Sequence, residues 1–133
     1  MLLAVLGLAA VIGLMRRQRA GRVREVVAGA RLGPADLAAA LGEQATFVQF
    51  SSPACAPCRS VRRVLSEVVA ADRTLAHIEI DATERLDLAR RLGIMRTPTV
   101  LLLDPSGLVV RRISGPLTPE QARTALADPT RSR

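Results

Sequence analysis

Lysine, tryptophan and tyrosine are absent from this 133-residue chain, and Phe47 and Phe50 are its only aromatic residues. Single-stranded nucleic-acid binders stack bases on rings laid along a basic groove. Despite a net charge of +7, this chain lacks the rings for such a surface, so no nucleic-acid partner is expected. A core must instead be built from Leu, Val, Ile and Ala, which the 49% apolar content allows. Only two cysteines are present, Cys55 and Cys58. A small secreted fold stapled by disulfides needs more, at wider spacing. A bridge between cysteines three residues apart closes almost no loop and adds little as a staple. His77 is the single histidine. Structural zinc takes four ligands, so two cysteines and one distant histidine leave the metal reading to a dimer that shares ligands, and no metal is expected.

What the chain does have is arginine, placed unevenly. Residues 1–40 carry six Arg against Glu25 and Asp36. Met1 to Met15 contain no polar side chain, and Arg16, Arg17, Arg19, Arg22 and Arg24 follow at once. A cleaved signal peptide would place its positive charge before the apolar run, and a buried helix would leave the arginines clustered at its end. A membrane anchor accounts for both the run and its flank. Fifteen helical residues reach roughly 22 Å against about 30 Å of hydrocarbon, so the arginines would snorkel and the bilayer thin. Positive flanks stay in the cytoplasm. The expectation is a single-pass anchor at residues 1–15 with the N-terminus outside, a basic linker at 16–30 and a cytoplasmic domain.

Beyond the linker, which contains a short strand expected at Val23–Val27, strands alternate with helices. Pro34–Leu41 has helix composition, with Gly42 to end it. Thr46–Ser51 reads as a buried strand, and Pro57 to about Ala71 as a helix with Val61, Val64, Leu65, Val68 and Val69 at helical spacing. Leu75–Ile80 is a strand, Glu84–Leu92 a helix ended by Gly93, and Thr99–Leu103 a strand. Asp104–Gly107 is a turn from which Leu108–Ile113 returns. Thr118, Pro119 and Gln121 open a last helix with a capping box. This order describes an α/β sandwich with a mixed sheet flanked by helices.

Cys55-Ala-Pro-Cys58 falls between a strand and a helix. Unpaired N–H groups and the dipole at a helix N-terminus favour a thiolate, which assigns Cys55 as nucleophile. Cys58 lies one turn on, faces the same side, and can attack a mixed disulfide held on Cys55. Pro57 fixes φ at the helix start and has no N–H to satisfy. Arg59, Arg62 and Arg63 add positive potential or simply form a solvated face. The plain alternative, two cysteines serving as small buried hydrophobes, fits this context poorly.

Over roughly residues 30–128 the chain resembles the thioredoxin superfamily. The strand, the Cys-Ala-Pro-Cys motif and the helix resemble the active-site segment, and Thr97-Pro98-Thr99 before TVLLLD resembles the cis-proline loop. The resemblance implies a thioredoxin-like three-layer sandwich over 31–128, with 129–133 as a tail. It implies a cis Pro98, with the Thr97 backbone, Pro98 and Pro57 meeting the substrate. Gly107 resembles the glycine of the terminal hairpin, and Gly115 a later glycine near the groove. Three positions depart from the pattern. Ala54 stands where Trp is usual, Ala56 where Gly is usual, and Gln49 where a buried Asp lies beneath the second cysteine, with His77 aligned to that acid's basic partner. An amide does not titrate near neutral pH. Gln49 therefore cannot serve as general base for Cys58, and solvent or His77 must take the proton, or the release step is slow.

The expected activity is that of a membrane-tethered thiol–disulfide oxidoreductase acting as a reductase. Its partners would be protein thiols and disulfides and an upstream dithiol reductant, and it would need no cofactor beyond its own redox-active disulfide. The alternative is a non-catalytic binding module using the same groove, which has no need of both sulfurs.

Overall fold

Strict alternation along TFVQFS shows how the layers form. In the computed structural model, which describes residues 7, 10–13, 23, 24 and 29–127, Phe47 packs into one apolar cluster with Val61, Leu65, Val100 and Leu102. Val48 and Phe50 pack into a second with Leu88, Leu101 and Leu103. A strand whose neighbours point to opposite faces, apolar on both, has to be covered twice. The elements are β1 (Val23–Arg24), α1 (Pro34–Leu37), β2 (Ala45–Ser51), α2 (Ala56–Ala70), β3 (Leu75–Asp81), α3 (Leu86–Arg91), β4 (Thr99–Leu103), β5 (Val109–Ser114) and α4 (Pro119–Ala127). α2 and α4 cover the Phe47 face, through Val61, Leu65, Val68, Ala122 and Ala125. α1 and α3 cover the other, through Leu37 and Leu88.

The mixed sheet has the order β1-β5-β4-β2-β3. β2 runs parallel to β3, and β4 antiparallel to both β2 and β5. Every residue of β2 and β4 is buried, which suits the two central strands. The two-residue β1 adds to the β5 edge; the rest of the expected Val23–Val27 strand lies outside the described residues.

Several boundaries differ from the sequence reading. α1 stops at Leu37, not Leu41, because Ala38 turns left-handed at φ 51° and ψ 31°. Gly42 therefore does not end the helix. It permits close approach instead: a Cβ there would lie 2.3 Å from the Ala45 carbonyl oxygen and 2.7 Å from the Ala76 nitrogen. α3 begins at Leu86 rather than Glu84, since Asp81 Oδ1 accepts from the Thr83 amide and hydroxyl and holds those residues in a turn. The capping box forms as read, with Thr118 N–H donating to Gln121 Oε1 at 2.9 Å and Gln121 N–H to Thr118 Oγ1 at 3.2 Å. Most of the expected anchor (1–15) and linker (16–30), and all of the tail (129–133), lie outside the described residues. Residues 7 and 10–13 are helical, and no helix among the described residues is long and apolar enough to cross a membrane.

Candidate redox site

β2 and β4 are paired up to Phe50 and Thr99, and both chains continue past that pair at the same end of the sheet. β2 leads through Ser52 to Cys55, and Thr97–Pro98 lead into β4. The hydroxyls of Ser52 and Thr97 lie 3.0 Å apart and tie the two segments together. The Thr97–Pro98 peptide is cis. Pro98 is buried, and its carbonyl accepts from Gly115 N–H at 2.8 Å. The segment after β5 thus closes on the same loop, and Gly115 takes φ +90° to do so.

Cys55 is the N-cap of α2, in extended conformation, and Pro57 sits in the first turn. Cys55 and Cys58 are joined by a disulfide with Cα atoms 5.4 Å apart. Cys55 is half-buried, whereas Cys58 is only 1% exposed. Access and the helix N-terminus therefore coincide at Cys55. No acid lies in the first turn of α2 to oppose a thiolate there.

Beneath the disulfide, Gln49 is fully buried. Its Nε2 donates to the Cys58 carbonyl at 2.9 Å and to Ser51 Oγ at 3.0 Å. A peptide carbonyl only accepts, which fixes the amide with nitrogen towards Cys58 and oxygen towards His77. Gln49 Oε1 lies 3.0 Å from His77 Nε2, so that ring nitrogen carries the proton. Burial lowers the His77 pKa below the usual imidazole value. Nearby Arg62 adds to this, and Glu79 opposes it. Glu79 forms a bidentate ion pair with Arg62 of α2 at 2.5 Å, and this bond is the main cause of its lowered pKa. Ser51 also helps to lower the Glu79 pKa. A buried network thus joins Ser51, Gln49 and the backbone of Cys58, with His77 as a branch, and the Arg62–Glu79 pair lies beside it.

Residues 35–129 match a thioredoxin-like domain. The chain belongs to the thioredoxin-like family. It is 38% identical over 70 residues to NADPH-dependent thioredoxin reductase 3 of Arabidopsis thaliana, covering 52% of this chain and 13% of that protein. It is 33% identical over 120 residues to human nucleoredoxin, covering 67% of this chain and 28% of that one. The chain thus spans well under a third of both relatives. With the SPbeta prophage-derived thioredoxin-like protein YosR of Bacillus subtilis it shares 31% identity over 69 residues, 80% of that protein and 52% of this chain. The fold is also that of chloroplastic thioredoxin z, with a TM-score of 0.62 at 22% identity over 80% of this chain and 97% of the other. A mutant thioredoxin from Halobacterium salinarum superposes with a TM-score of 0.58 at 22% identity over 68% of this chain and 79% of that one.

Among the residues the sequence singled out, this thioredoxin-like domain brings Cys55, Pro57, Cys58, Thr97 and Pro98 to one end of the sheet. Gln49 and His77 lie just beneath, on the α2 face. Ser51, Ser52 and Glu79 join the site without a motif to mark them, and Arg62, which the sequence offers only as positive potential or a solvated face, is bound to Glu79. The alternation of β3 places Glu79 on the face of His77, but no sequence signal says that Arg62 reaches it. Among the described residues, no group of three or more His, Cys, Asp or Glu side chains is placed to hold a metal ion.

Proposed function

We propose that this thioredoxin-like domain catalyses thiol–disulfide exchange through Cys55 and Cys58, working as a reductase of protein disulfides. The observation that carries the reading is the half-exposed Cys55 at the N-terminus of α2, bridged to a buried Cys58. A dithiol first reduces the bridge, giving Cys55 and Cys58 as thiols and leaving the donor as a disulfide. The Cys55 thiolate then attacks a substrate disulfide, forming a mixed disulfide and expelling the first substrate sulfur as a thiolate. Cys58 loses its proton and attacks Cys55 sulfur, releasing the second substrate thiolate and restoring the Cys55–Cys58 bridge. Two electrons pass to the substrate, and the two released sulfurs take up protons from solvent or from the site. Thr97 and Pro98 position the substrate chain beside Cys55. Residues 1–15 tether the domain to the cytoplasmic face of a membrane, a reading supported by the apolar run and its arginine flank.

The full chain supplied with dithiol is expected to reduce an exposed protein disulfide, and Cys55→Ser to abolish this. Cys58→Ser should accumulate mixed disulfides with the substrate, because attack proceeds and release does not. Brief iodoacetamide treatment of the reduced protein should label Cys55 before Cys58. Full activity in Cys55→Ser would end the reading.

A further inference from the structure

The charge around the disulfide is one-sided. Between Glu43 and Glu67 there is no acid, and the stretch holds Arg59, Arg62 and Arg63; between Asp87 and Asp104 there is again no acid, and the stretch holds Arg90, Arg91 and Arg96. These are the two segments that frame the disulfide: the loop and first turns of α2, and the approach to cis-Pro98. Arg62 is held by Glu79 and Arg91 by Asp36. Among the described residues, Arg59, Arg63, Arg90 and Arg96 have no ion-pair partner, and all four are exposed. Arg59 directly follows Cys58, and Arg96 directly precedes Thr97. Beside Arg96, Met95 is 92% exposed, an unbranched apolar side chain at the edge of the loop.

The acids at this end of the sheet lie elsewhere. Asp81 ends β3, which borders β2 on the side away from β4, and Glu84 and Asp87 follow it. Asp81 is bonded to Thr83 and Asp87 to Arg85. Next in sequence to Cys58 and to Thr97, the exposed Arg59 and Arg96 thus carry guanidinium groups with no ion-pair partner among the described residues, and the exposed Met95 stands beside Arg96.

We propose that this arginine-framed face selects its substrate: the disulfide it reduces lies in an acidic protein segment that also offers an apolar side chain to Met95. This deepens the proposed exchange activity and rests on it. Long side chains of one sign at a site mouth raise the encounter rate with a partner of opposite sign and repel one of like sign. Guanidinium groups also bond carboxylates in bidentate fashion.

The test uses the full chain with two disulfide peptides of equal length, one flanked by Asp and Glu, the other by Lys. The neutral disulfide of mercaptoethanol reports the exchange chemistry alone. With dithiol as reductant, the acidic peptide should be reduced on the order of tenfold faster than the basic one at low salt, and about 0.5 M salt should remove most of that ratio. In Arg96→Glu and in Arg59→Glu the ratio should fall towards one or invert. Reading the ratio within each variant cancels any effect on the cysteines. Peptides with Ser for Cys, followed by fluorescence anisotropy, read docking independently of exchange. Loss of activity on the neutral disulfide overturns the exchange reading, while preferential anisotropy for the acidic peptide would still uphold the surface. Equal rates and equal binding for both peptides, insensitive to salt, overturn the proposal. So does a face that ignores both peptides but binds phosphatidylserine vesicles through Arg59 and Arg96, which would assign it to a membrane surface.

Discussion

Gln49 shows how one side-chain change alters a site without altering its frame. A carboxylate at this position would accept a proton from Cys58 as the mixed disulfide is released; the amide instead spends both hydrogens on Ser51 and the Cys58 carbonyl. His77 does not replace the missing base on this side, since its Nε2 proton already points at Gln49. Gln49→Asp is expected to speed release at pH 7 to 8 in stopped-flow measurements. It should also lower stability by about 2–4 kcal/mol, because it buries a charge with no lysine partner and leaves the Cys58 carbonyl facing another acceptor. An unchanged rate and pH dependence would refute the base argument. A slowed release in His77→Ala alone would instead give His77 the proton-transfer role.

At the scale of the elements, two backbone positions carry opposite predictions. Ala38 ends α1 at a positive φ that glycine adopts without cost. Ala38→Gly should therefore raise stability by about 0.5–1 kcal/mol in a denaturant titration, and a loss would mean that the left-handed turn is not the stop. Gly107 closes the β4–β5 hairpin at φ +83°, and a Cβ there would lie 2.1 Å from the Leu32 carbonyl oxygen. That oxygen belongs to backbone and cannot swing away. Gly107→Ala should accordingly lower the midpoint sharply, by about 2 kcal/mol or more. A neutral result would show that the Leu32 segment is free to move.

Across the whole molecule, pH acts through the buried branch of the network. Burial holds His77 below the usual imidazole range in the folded state, so the unfolded chain binds a proton more readily. The resulting stability is complete above the unfolded value of about 6.5 and is lost as pH falls below it through the folded value. Thermal melts from pH 8 to 5 should fall across this window in the wild type and less steeply in His77→Gln, which retains a donor for Gln49. Parallel curves would place the titration elsewhere. Glu79, lowered chiefly by its bond to Arg62, adds a separate loss at more acidic pH. The proposed tether has its own test at this scale: if residues 1–15 anchor the chain, it should stay with membranes through a carbonate wash, and an impermeant thiol reagent should not reach Cys55 in intact, reduced cells. Labelling from outside would place the domain on the opposite face.

The sequence alone determined the alternation of elements, the two apolar faces of TFVQFS, the cap at Thr118 and the position of Cys55 before a helix. Each depends on local chemistry or on the period of a strand or helix, and neighbouring residues carry those signals. The early stop of α1 escaped it, because Ala38 adopts a conformation that alanine does not advertise. Only the tertiary structure decided that Arg62 reaches Glu79, that Ser52 meets Thr97, and that Gln49 clamps the Cys58 carbonyl. Those contacts join residues 9 to 45 positions apart, and which of several compatible partners a side chain meets is set by how β2, β3, β4 and α2 stack.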